Sequence, residues 1–113
     1  MSLTHKQVQA IEEVRKYIDS MPLQRISISD LMAVSGLSKD KLARGFKNLF
    51  GETVFNYQVR QSMKNAAELL RQGILVKSVA LAVGYKTPGN FTRAFFKVMK
   101  VTPSQYQTES RQQ

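Results

Sequence analysis

The chain has 113 residues, of which 42% are hydrophobic and none is cysteine, and it carries a net charge of +9. That size and apolar content suit one compact domain rather than two, while the missing cysteines exclude a disulfide framework or a thiolate metal site and fit a reducing cytoplasm. The charge excess lies in residues 39–100, where twelve Lys or Arg meet only Asp40, Glu52 and Glu68, and a localised excess of this kind points to a polyanionic partner.

Thr4 and Gln7 form a capping box that starts a first helix, with Val8, Ile11, Val14 and Ile18 as its apolar stripe and Pro22 as its stop. Ser27 with Asp30 opens a short second helix, which runs through Ser35 and ends at Gly36 in a left-handed turn. Ser38 caps a third helix that turns Leu42, Phe46, Leu49 and Phe50 inward and ends at Gly51. Thr53 caps the longest helix, which runs to about Arg71 and stops at Gly73, with Phe55, Val59, Met63, Ala66 and Leu70 as its buried stripe. At about 1.5 Å per residue this rod is about 28 Å long. A short helix follows over residues 76–83. The next begins at Thr87 with Pro88 at its first position, where a missing N–H costs nothing, and turns Phe91, Phe95, Phe96 and Met99 inward. Pro103 starts a last turn or short helix through Tyr106, and a frayed Ser/Gln/Arg tail closes the chain. The alternation at Ile26-Ser27-Ile28 is too short for a strand, no apolar run approaches the roughly 20 residues of a membrane span, and no secretory signal is visible. The fold class is all-α, in about seven helices.

The chain repeats itself once. Leu31, Met32, Gly36 and Leu37 match Val79, Ala80, Gly84 and Tyr85 at an offset of 48, and Ser38, Leu42, Arg44 and Phe46 match Thr87, Phe91, Arg93 and Phe95 at 49. Each half is a short helix, a glycine turn and a capped helix, the pattern of a helix-turn-helix. The module divides into a first unit over 4–52, a linker helix over 53–73, a second unit over 74–107 and a tail over 108–113. In each second helix an arginine, Arg44 or Arg93, sits six residues after the cap, and Asp40, Ala43, Gly89, Asn90 and Thr92 line the same outer face. That face of a recognition helix enters the major groove. Arginine can bond guanine O6 and N7 together, asparagine can read adenine, and Asp40 can accept from a cytosine amine or repel a phosphate. Ser38, Lys39, Lys41, Lys47, Lys86, Thr87 and Lys97 are the candidate phosphate contacts, helped by the exposed N–H groups of the helix starts. A rigid spacer of about 28 Å suits successive major grooves about 34 Å apart, which implies an asymmetric double-stranded DNA site read by one monomer.

The stretches "LMAVSGLSKDKLARGFKNLFGETVFNY", "NAAELL" and "VALAVGYKTPGNFTRAFFKVMKVTPSQY" resemble the C-terminal DNA-binding domain of the AraC/XylS transcription regulators over about residues 26–106. The resemblance implies bacterial transcription control, activation in many members, contacts to RNA polymerase, and base reading from Asp40, Ala43, Arg44, Gly89 and Arg93. The chain departs from the family pattern at Ser62, where an arginine is usual, at Leu75, which replaces a polar cap, and at Lys100, which replaces a glycine and must itself take any left-handed conformation. Gly89 leaves the second unit one reader fewer. The segment "GFKNLFGETVFNY" is similar to a subgroup that controls iron–siderophore uptake in response to the siderophore. That likeness favours an excised domain, with any small-molecule effector bound by a domain absent from this chain.

Other classes fit less well. His5 is the only histidine, and no phosphate-loop or Gly-x-Gly-x-x-Gly pattern occurs, so neither an enzyme nor a cofactor or metal site is expected. A non-specific nucleoid or RNA-binding basic helical protein would explain the charge but not the duplicated arginine. An RNA binder should also expose stacking aromatics, whereas every phenylalanine here falls on a core stripe. A protein-interaction module with a basic face is the third alternative.

Overall fold

A computed structural model describes residues 3–21, 23 and 25–111. The expected stop at Pro22 and the last two residues of the tail lie outside the described residues. Among the described residues the regular elements are all helices: α1 (His5–Ser20), α2 (Ile28–Ser35), α3 (Lys39–Phe50), α4 (Val54–Arg71), α5 (Val76–Ala82), α6 (Pro88–Met99) and α7 (Pro103–Arg111). Side-chain caps start most of them. Thr4 Oγ1 accepts from the Gln7 N–H while Gln7 Oε1 accepts from the Thr4 N–H, at 3.1 and 3.0 Å. Ser27, Ser38, Thr53 and Thr87 each accept from the N–H three residues on, a bond worth about 1 kcal/mol. Leu75 gives α5 no side-chain cap.

The described residues group into two compact units, Met1–Pro22 with Ile26–Gln58, and Leu23–Arg25 with Val59–Gln113. Each has its own core, where composition alone suggested one. The segment expected as a linker helix over 53–73 is divided between them: the first turns of α4 belong to one unit and the rest to the other.

In the first unit Ile11, Val14, Ile18, Leu31, Leu42 and Phe46 are buried, together with Val54 and Tyr57 at the start of α4. Gly45 lies where α3 meets α1: a Cβ there would run into Cδ1 of Ile11. That close approach explains a glycine inside a helix, where it costs about 1 kcal/mol relative to alanine. Two expected core residues are exposed. Leu49 is in the last turn of α3, beyond the buried Leu42, Gly45 and Phe46. Phe55 is 60% exposed, because Val54, Tyr57 and Gln58 occupy the inward arc of α4 and the residue after Val54 is turned about 100° away from it.

The buried Gln58 closes this unit. Its Oε1 accepts from the Ile26 N–H at 2.8 Å, and its Nε2 donates to the Ile26 carbonyl at 3.1 Å. The Tyr57 hydroxyl donates to Asp19 Oδ1 at 2.6 Å.

In the second unit Met63, Ala66, Ala67 and Leu70 of α4 pack with Val79, Ala80, Val83, Phe91 and Phe95. Phe96, also expected inside, is 49% exposed: Phe91 and Phe95 share the inward arc of α6, and the next position leaves it. Residues 107–111 are not frayed. The chain continues as α7 to Arg111, begun by a second capping box in which Thr102 and Gln105 exchange bonds of 3.0 and 3.1 Å. Gln107 Nε2 then donates to the carbonyls of Leu70 and Ile74 at 3.0 and 2.7 Å, which ties α7 to the turn that follows α4.

Lys100 ends α6 with φ 67°, the one positive-φ residue among those described that is not glycine. Left-handed backbone costs an L-residue about 1–2 kcal/mol, partly offset in any glycine replacement by the entropy glycine loses on folding. Lys100→Gly is therefore expected to stabilise the protein by about 1 kcal/mol, read as a rise of several degrees in Tm. An unchanged or lower Tm would show that the lysine side chain compensates for its backbone.

Candidate nucleic-acid interface

The repeat seen in the sequence is structural, and it extends further than the sequence reading took it. Leu31 and Val79 are buried, as are Leu42 with Phe91 and Phe46 with Phe95. Gly36 and Gly84 both have positive φ, at 69° and 90°, and Ser38 and Thr87 both act as N-caps. Beyond the second helices the offset of 49 continues. Gly51 corresponds to Lys100, both left-handed. Thr53 corresponds to Thr102, each capping the helix that follows. The Tyr57 ring meets Phe46 edge-on at 5.4 Å, and the Tyr106 ring meets Phe95 edge-on at 5.8 Å. Gln58 and Gln107 donate to the carbonyls of Ile26 and Ile74, themselves 48 apart. Gly51, Thr53 and Lys100 were legible in the sequence, whereas the roles of Thr102, the two tyrosines and the two glutamines were not. In each unit they hold the second helix from its buried side, opposite the face that carries the arginine.

That outer face is assembled as its spacing requires. In α3, Lys39, Asp40, Lys41, Ala43, Arg44 and Lys47 are all exposed, and Ser38 Oγ accepts from the Lys41 N–H at 3.3 Å. In the second unit Lys86, Thr87, Gly89, Asn90, Arg93 and Lys97 are exposed, whereas Thr92 is half-buried and so less available than its neighbours. Thr87 Oγ1 accepts from the Asn90 N–H at 3.2 Å, and Pro88 occupies the first position of α6. Each cap hydroxyl keeps its own proton for an outside acceptor while its oxygen is engaged.

The two arginines do not lie loose on this face. Arg44 Nε is 3.1 Å from Asp40 Oδ1, one helical turn back. Arg93 Nη2 donates to Asn90 Oδ1, three residues back. Exposed pairs of this kind add only about 0.3–0.5 kcal/mol to a helix, so what they govern is where the guanidinium sits. Asp40 is thus a partner of Arg44 as much as a surface group of its own. Gly89 has open space around it, since a Cβ there would find only Arg93 Nη1, 4.0 Å away.

Two other observations bear on the alternatives. Phe55 and Phe96 are exposed, which removes the contention that every phenylalanine is spent on the core. Among the described residues no three His, Asp or Glu side chains gather as a metal site, and no helix is long and apolar enough to cross a membrane.

Two units, each a short helix, a glycine turn and a capped helix with an exposed arginine on its outer face, define a double helix-turn-helix DNA-binding protein. The family model described as a helix-turn-helix domain matches residues 31–109, and the probable transcription factor PqrA of Proteus vulgaris is 30% identical over 100 residues, a match covering 85% of this chain and 81% of PqrA. The chain belongs to the AraC/XylS family of DNA-binding transcription regulators. Among solved structures, the C-terminal domain of AraT, a response regulator from Geobacillus stearothermophilus, is similar with a TM-score of 0.81 and 28% identity, over 88% of this chain and 84% of that one. The DNA-binding domain of AdpA, solved in complex with a target DNA, has the same fold, with a TM-score of 0.82 and 21% identity over 90% of this chain and 93% of that one.

Proposed function

We propose that α3 and α6 each enter a major groove of double-stranded DNA and that one monomer reads an asymmetric site at a promoter, as a transcription activator. The observation that carries this reading is the duplication of an exposed arginine six residues after the cap of each second helix. Arg44 and Arg93 are its base readers, with Asp40, Ala43, Gly89, Asn90 and Thr92 beside them. Ser38, Lys39, Lys41, Lys47, Lys86, Thr87 and Lys97 are its phosphate contacts. Use of successive grooves about 34 Å apart is part of this reading. The likeness of residues 45–57 to the siderophore-responsive subgroup favours genes of iron uptake as targets. In that setting the protein works in the cytoplasm, contacts RNA polymerase, and answers to an effector held by another domain.

Binding of single-site variants to a preferred duplex and to its base-pair variants tests the assignment. Arg44→Ala and Arg93→Ala are each expected to cost about 1–3 kcal/mol and to relax preference at one position, while Lys47→Ala weakens all duplexes alike. Uniform weakening by both arginine changes would reduce them to phosphate contacts. A second reading, a non-specific binder of single strands, draws on the exposed Phe96 beside Lys97, since aromatic rings with cations can stack bases of any sequence. It requires single strands to compete with duplex at equal concentration, and Phe96→Ala to abolish that competition.

A further inference from the structure

The two units hold equivalent arginines by chemically different means. In α3 the partner is a carboxylate, with Asp40 and Arg44 both 69% exposed and Arg44 Nε engaged. In α6 the place equivalent to Asp40 is Gly89, and the acceptor is the neutral amide oxygen of Asn90. From this difference, and resting on the reading of α3 as a recognition helix, we infer that Asp40 is a positioning residue that sets the specificity of the first unit. It holds Arg44 by Nε, so that both Nη groups remain as the fork that matches guanine O6 and N7.

Three physical effects act together. Asp40 lies in the first turn of α3, where the positive end of the helix dipole favours a carboxylate, so the anchor itself stays in place. An arginine already ordered loses less side-chain freedom on binding than a free one, and that saving is largest for the base whose geometry the fixed fork fits. Finally, Asp40 cancels one positive charge among Lys39, Lys41, Arg44 and Lys47, and so trims the attraction to phosphate that every sequence shares. Arg93 keeps its full charge beside Asn90. The first unit therefore contributes more discrimination, and the second more of the salt-dependent affinity.

Charge and positioning separate in a pair of substitutions. Asp40→Asn keeps an acceptor, as in the second unit, but removes the charge. It is expected to strengthen binding to all duplexes, to steepen the slope of log K against log salt by about 0.9, and to retain discrimination at the base pair Arg44 reads. Asp40→Ala removes both and is expected to lower that discrimination about twofold, the size of the exposed pair itself, with faster exchange of the Arg44 Nε–H in 15N NMR of the free protein. Asp30→Ala, which deletes an exposed first-turn acid of α2, is the control and leaves discrimination unchanged. Full discrimination in Asp40→Ala would overturn the role given to Asp40 while leaving α3 as a reader. If the wild type distinguished no duplexes although its Arg44 Nε–H was protected, the recognition reading would fail, and the Asp40 role with it.

Discussion

Phe95→Ala is expected to destabilise the second unit by about 3–5 kcal/mol, the cost of losing a buried aromatic side chain together with the cavity it leaves. Phe95 is fully buried, and its ring sits 5.6 Å from that of Phe91 and 5.8 Å from that of Tyr106. Its loss therefore removes the contact by which α7 braces α6 as well as the center of the core. Against a total stability of about 5–15 kcal/mol for a domain, a change this large leaves a measurable unfolded fraction near physiological temperature. Urea unfolding followed by far-UV circular dichroism measures it. Phe96→Ala serves as the companion: with half its surface exposed it should cost no more than about 1 kcal/mol. Equal losses at the two neighbours would contradict the rotation of α6 described above.

Gln58→Leu should cost about 2–4 kcal/mol despite adding an apolar side chain to a buried place. The amide is 6% exposed and satisfies both the N–H and the carbonyl of Ile26, itself buried. Leucine fills the volume but leaves two buried backbone groups without partners, at about 1–3 kcal/mol each. Gln107→Leu removes only donations to the carbonyls of Leu70 and Ile74 and leaves no N–H bare; Gln107 is also half-buried and water can replace it, so about 1 kcal/mol is expected. Hydrogen exchange at the Ile26 amide gives a local reading, faster in Gln58→Leu. A loss under 0.5 kcal/mol with unchanged exchange would mean that the segment before α2 does not depend on this side chain.

Much of the fold was legible because its signals are local. The Thr4–Gln7 box, the Ser and Thr caps and the glycine turns are chemistry within four residues, and the repeat from Leu31 to Phe46, at an offset of 48 and then 49, is visible without any structure. Burial was less legible where an apolar residue adjoins the inward arc: Phe55 and Phe96 each follow a buried neighbour, and apolarity does not say which of two adjacent residues faces in. The second half of α7, beyond Tyr106, was missed for a different reason. Its Ser/Gln-rich composition suggests a tail, and its partners Phe95, Leu70 and Ile74 are distant or belong to another helix. Two signals were nevertheless present: Thr102 and Gln105 repeat the Thr4–Gln7 box, and Thr102, Tyr106 and Gln107 repeat Thr53, Tyr57 and Gln58 at an offset of 49. At the candidate interface, cap spacing identified the arginine face, but the coupling of Asp40 to Arg44 and of Asn90 to Arg93 emerges only once side chains are placed.

The most direct test of DNA reading by two units is selection of bound duplexes from a random library at about 150 mM salt, where non-specific attraction is screened. Recovery of an asymmetric site with two boxes about one helical turn apart, one box lost in Arg44→Ala and the other in Arg93→Ala, is the expected result. Salt-sensitive binding that yields no common sequence from the wild-type chain would contradict it.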